Sequence, residues 1–257
     1  MKKIIIVLFL FSISCFAKDL YHNKNLIYFW NFDNERRFLI DVKSNTIAHK
    51  RGTVRWIPRE YSYNNSPVIH IHGNIDPNSS FTIPARYLER ELNEWTLDFE
   101  FGAGSHDLDH TNRDNGELMP FGQILRWGDL RITFYQDSAQ GWKGIVRIIY
   151  QGQKRTIEYL RGFKYYYMAV RSEENGISIW LDSYCTDYIE IPRTSVVGLP
   201  IVFGGNGFAG RFDDIKVYNE RLKPWEITSN YWGKELNIES KDKLIFLWSK
   251  IKKQGDL

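Results

Sequence analysis

Apolar and polar residues alternate along most of this chain in short runs broken by Gly, Asn, Asp and Pro. Successive side chains of a strand point to opposite faces, so strict alternation predicts strands with one buried and one polar face. In the run 94–101, Trp95, Leu97, Phe99 and Phe101 share one face and Thr96, Asp98 and Glu100 the other. Comparable runs lie at 26–33, 68–73, 80–84, 121–127, 130–135, 145–150, 165–171, 177–181, 201–204 and 211–218. Strands this short and numerous, with no helical segments between them, predict an antiparallel sandwich rather than a βαβ fold. Pro224-Trp225-Glu226-Ile227 reads as a short helical turn, with proline in its first turn.

The two ends follow other patterns. Lys2 and Lys3 precede an apolar stretch from Ile4 to Ser14, and Cys15-Phe16-Ala17 offers a small-x-small cleavage site. Residues 1–17 therefore read as a secretory signal peptide, to be set apart from the fold. A second reading lipidates Cys15 and anchors the protein to a membrane, although Ser12-Ile13-Ser14 is a poor match to such sites. Near the other end, Leu244, Leu247, Trp248 and Ile251 fall at helical spacing among Lys241, Lys243, Lys250, Lys252 and Lys253. Residues 232–257 thus read as a basic amphipathic tail, either docked on the domain or offered to a membrane surface or protein partner.

Charge and cysteine content narrow the classes. Without residues 1–17 the chain keeps 32 basic and 31 acidic side chains, too even a balance to point to nucleic acid. Cys185 is then the only cysteine, so no intrachain disulfide is expected, and burial is the expectation for its thiol. Aromatics make up 16% of the chain, enough to fill two sheet faces and still line a groove. No apolar stretch of the mature chain has the length of a transmembrane helix.

The stretch Phe208-Ala209-Gly210-Arg211-Phe212-Asp213-Asp214-Ile215-Lys216-Val217-Tyr218-Asn219-Glu220-Arg221-Leu222 resembles the last strand of the LamG/concanavalin A-like family. Tyr28 to Asp33 looks like that family's opening aromatic strand. Ile71-His72-Gly73 with Asp76 and Phe81 to Pro84 resembles its Phe-Asp-Gly turn and following strand, with His72 in place of Asp. Tyr166 to Arg171 and Ile177 to Ser183 resemble two further strands, with Ser183 replacing a turn glycine. The resemblance implies an all-β jelly roll of two antiparallel sheets over residues 18–231, closed by a short C-terminal helix. It names no ligand, because this fold hosts lectins, adhesion modules, hydrolases and lyases.

The resemblance also suggests where chemistry could sit. Laminarinase-like hydrolases of this fold carry Glu-x-Asp-x-Glu on a strand like 94–101. Here Thr96 stands where the nucleophile belongs, while Asp98 and Glu100 remain able to bind sugar hydroxyls. Lyases of the fold use Arg or Gln against a uronate and Tyr as base, and Arg126, Tyr135 and Gln136 have that chemistry without the lyase motifs. Trp127, Tyr135, Trp142 and Trp180 are candidate platforms for sugar rings. Asp213, with Asp33 or Asp76, matches the position of a structural calcium in related sandwiches. The rim loop 102–120 is rich in Asp and Asn but lacks EF-hand spacing, and His70 and His72 share a strand face without an identifiable third zinc ligand. The expectation is an exported, non-catalytic module that binds a glycan or glycosylated surface through Asp98, Glu100, Arg126, Trp127, Tyr135 and Trp180. The alternatives are a polysaccharide hydrolase or lyase with an atypical site, and a protein interaction domain.

Overall fold

A computed structural model describes residues 24–59, 62, 66–84, 92–103, 122–137, 143–161, 164–192, 196 and 198–235. The signal segment with Cys15, the rim loop from residue 104 to its end, Trp142 and the lysine-rich tail beyond residue 235 lie outside the described residues. Strands alternate with turns from residue 26 to 218, and α1 (Pro224–Glu235) follows. No helix among the described residues is long and apolar enough to cross a membrane.

Two antiparallel sheets form the domain. One runs β13 (Tyr184–Glu190), β12 (Gly176–Leu181), β11 (Tyr165–Glu173), β6 (Thr96–Ala103), β15 (Ala209–Tyr218), β4 (Val68–His72), β3 (Val54–Ile57), with β1 (Leu26–Trp30) paired to the far half of β15. We call it the first sheet. The second runs β10 (Gln153–Arg161), β9 (Lys143–Tyr150), β8 (Leu130–Asp137), β7 (Gly122–Trp127), β14 (Ile201–Gly204), β5 (Ser80–Ile83), β2 (His49–Arg51). The antiparallel sandwich and the helix after it agree with the alternation and the proline signal. The helix is longer than the single turn that the sequence marks, extending through Glu235.

The core lies between the inner faces. Trp30, Trp95, Phe99, Phe101, Phe203 and Phe212 are fully buried, and Phe99 and Phe203 meet edge to face at 5.4 Å. One consequence corrects the sequence reading. Trp127 is 1% exposed and packs against Trp95 with ring centroids 4.9 Å apart. It faces inward, so it presents no surface to a sugar.

The Gly73 turn owes its residue type to a close approach. Its N–H donates to the Phe208 carbonyl at 3.0 Å, and a Cβ there would collide with that oxygen. The turn thereby ties the end of β4 to the entrance of β15, the two segments whose sequence is most distinctive.

Candidate functional site

Trp127 apart, the residues expected to form one site fall on two opposite outer faces. Asp98, Glu100 and Trp180 lie on the first sheet, whereas Arg126 and Tyr135 lie on the second. No common site on these residues exists.

On the first sheet the polar positions serve the fold. Thr96 is buried, donates its hydroxyl to the Glu220 carbonyl at 2.9 Å and accepts the Leu222 N–H at 3.0 Å. The residue in the nucleophile's place is thus a clamp on the chain leaving β15. Asp98 is wholly buried, accepts the Tyr167 hydroxyl at 2.9 Å, and lies 3.9 Å from the Lys216 ammonium. It is closed to a sugar hydroxyl. Trp180 lies on the face away from the core, as its alternation predicts, but is 8% exposed. Its ring nitrogen donates to Ser178 at 3.0 Å, and the Arg171 guanidinium sits 5.6 Å from its ring. Glu100 is half-buried and stands in register between Tyr167 and Asp213.

The acids expected to hold calcium are each engaged locally. Asp213 is buried within β15 and accepts the Asp214 N–H at 2.8 Å. Asp33 accepts from Asn31 after β1, and Asp76 caps the Asn78 N–H between β4 and β5. Among the described residues no group of three His, Cys, Asp or Glu side chains is placed to hold a metal. Asp33, Asp76 and Asp213 are thus not gathered into one such group. His70 and His72 stack with centroids 3.9 Å apart and are buried. Burial first, then the neighbouring His72, Arg211 and Arg55, lowers the pKa of His70 from 6.5 to about 3, so its imidazole is neutral at ordinary pH.

The outer face of the second sheet is different in kind. One register row crosses it from edge to edge: His49, Thr82, Val202, Arg126, Arg131, Ile149, Lys154. Arg126, Arg131 and Lys154 are all exposed. Arg126 stands directly opposite Arg131. The next row sets Thr133 opposite Arg147 and Arg147 opposite Thr156. The Arg147 guanidinium lies 4.3 Å from the Tyr135 ring centroid and donates to its hydroxyl at 2.9 Å. Ring and guanidinium are thus held together as one plate on this face. Arg131 shares a face of β8 with Tyr135 by alternation, whereas Arg147 and Lys154 join them only through strand register. Because β10 has no marked alternation, the sequence does not reveal Lys154 or Thr156 as neighbours of the hairpin.

No protein-family model matches the chain, and no curated protein matches it. Solved structures do. The binding domain of botulinum neurotoxin DC, solved with SialylT, aligns with a TM-score of 0.57 at 12% identity, over 82% of this chain and 52% of that one. The same toxin's binding domain with rat synaptotagmin II gives 0.56 at 11% identity, over 82% and 52%. Domain 4 of AbnA, an extracellular GH43 arabinanase from Geobacillus stearothermophilus, solved with arabinotriose, gives 0.51 at 13% identity, over 80% of this chain and 97% of that one. The chain spans about half the length of the toxin domains it matches. At these identities the likeness establishes a shared sandwich fold.

Proposed function

We propose that this chain is an exported LamG-like module that binds an anionic glycan, without cleaving it, on the outer face of its second sheet. The observation that carries this reading is the pair Arg126 and Arg131. Like charges directly opposite each other on a sheet are destabilising, yet this exposed face sets two arginines opposite each other beside Arg147 and Lys154. A carboxylate or sulfate of a polysaccharide would relieve that repulsion, since guanidinium forks match such groups in two-point contacts. The Tyr135–Arg147 plate offers a flat aromatic surface to a sugar ring, and Thr133 and Thr156 offer hydroxyls. The AbnA domain gives outside support, because a domain matched over nearly its whole length was solved with an oligosaccharide. Export rests on the Lys2–Ala17 pattern.

Binding and product release on uronate-containing, sulfated and neutral polysaccharides test the proposal together. Retention on the charged polymers, lost in Arg126→Ala/Arg131→Ala and without released oligosaccharides, is the expected result. Equal retention by wild type and double variant would remove the second sheet from the account. Released fragments would make the protein an enzyme, and selective retention on nucleic acid would replace the glycan.

A further inference from the structure

We propose that Lys216 and Asp98 condense to an isopeptide bond that staples β15 to β6. The two side chains meet on the outer face of the first sheet, away from the arginine rows. Lys216 stands directly opposite Asp98 in the pairing of the two strands, and its Nζ lies 3.9 Å from Asp98 Oδ1. The ammonium-bearing side chain is 2% exposed and the carboxylate 0%.

The backbone is arranged for this meeting. The register of β15 against β6 shifts between Asp213 and Lys216, and Asp214 takes a positive φ of 48°. Without the extra residue, Ile215 would stand opposite Asp98. A bulge re-aims the side chains that follow it, and a non-glycine residue at positive φ costs conformational energy. That cost is borne at the place where a lysine is brought to an aspartate.

The pair is buried and held in register. At 3.9 Å the ammonium is beyond hydrogen-bond distance of Oδ1. Burying two charges is costly, and one amide in their place removes both charges. Amide formation needs a neutral amine and a carboxylic acid, so the proposed reaction begins with transfer of one proton from Nζ to the carboxylate. Paired strands hold the two reactants side by side, so the entropic cost of bringing them together is already met. The Phe29 ring, 5.3 Å from Nζ, walls one side. Tyr167 donates its hydroxyl to Asp98 Oδ2 at 2.9 Å.

The step balances without an oxidant or co-reactant. The Nζ lone pair attacks Asp98 Cγ, giving a tetrahedral carbon. The Cγ–Oδ2 bond then breaks. Oδ2 leaves as water, carrying its own hydroxyl proton and one proton from the nitrogen, and the Tyr167 hydrogen bond steadies its departure. The products are one amide and one water.

Mass spectrometry of the full chain reads this directly. The expected result is a proteolytic digest containing a branched peptide that joins the segments around residues 98 and 216, one water lighter than their sum. The intact protein should be lighter by the same water than its sequence requires. Lys216→Arg should restore the full mass and slow migration in denaturing gels after boiling. Linear peptides carrying free Asp98 and Lys216 in folded wild-type protein would overturn the proposal. So would a water loss that persists in Lys216→Arg, since dehydration would then lie elsewhere. The wild-type peptide map decides the matter even if the variant fails to fold.

Discussion

A buried imidazole gives acid one route to act on this fold. His70 has a folded-state pKa of about 3 against 6.5 for the free side chain. Between those values the unfolded chain takes up a proton that the folded chain refuses. Stability from this group is therefore complete above about pH 6.5 and falls as pH drops towards 3, by at most about 1.4 kcal/mol per pH unit. The measurement is urea unfolding across that window for wild type and His70→Gln. The difference in slope isolates the histidine from the carboxylates that titrate beside it, and parallel curves would show that His70 is not held neutral. Trp127→Ala makes a second residue-scale test. Removing an indole packed against Trp95 should cost about 3–5 kcal/mol, seen as a lower urea midpoint. A fully stable variant would contradict the core position of Trp127. Thr96→Val deletes the acceptor of a buried N–H and should cost about 1–3 kcal/mol, with Thr96→Ser close to wild type.

At the scale of elements, what was legible in the sequence follows from where each strand sits. The interior strands announce themselves because one or both faces are apolar, as Trp95, Leu97, Phe99 and Phe101 do in β6 and its approach. The strands without a signal are β2, β3, β10 and β13, and these are the four ends of the two sheets. Edge strands carry charge to discourage pairing with other chains, so His49-Lys50-Arg51 and Gln153-Lys154-Arg155-Thr156 read as loop. The ends of the two rows were hidden for the same reason, because Lys154 and Thr156 join the arginines only once β10 is placed beside β9. Burial of single residues was equally hard to read. Trp127 alternates with Arg126 in a way that is symmetrical until the hairpin's inner face is known. Cys185, expected to be buried, is exposed on β13, where its thiol donates to the Asp187 carbonyl at 3.6 Å. Partial desolvation pushes its pKa up, which lowers the thiolate fraction and slows attack. The native protein should accordingly take up a thiol reagent to completion, more slowly than a free cysteine at the same pH. Labelling that requires denaturant would put Cys185 back inside.

The whole molecule offers two outer faces with opposite electrostatic habits, and that contrast sets its response to salt. Lys216 and Asp98 on the first sheet are sealed from solvent, so mobile ions have little purchase on them. Arg126, Arg131 and Lys154 on the second sheet are open to it, and at about 0.1 M salt charges more than roughly 10 Å apart are largely screened from one another. Binding of a sulfated or uronate polymer to the second sheet should therefore weaken steadily as salt is raised, while the unfolding midpoint stays nearly constant. Each of Arg126→Ala and Arg131→Ala should weaken binding by about tenfold at low salt and make the remaining affinity less salt-dependent. Glu100→Gln, on the opposite face, should bind like wild type at every salt concentration. Affinity titrations of the three variants against one anionic polysaccharide make the comparison. If the arginine variants keep the wild-type salt slope while Glu100→Gln loses affinity, the ligand lies on the first sheet. The repulsion between Arg126 and Arg131 would then need another explanation.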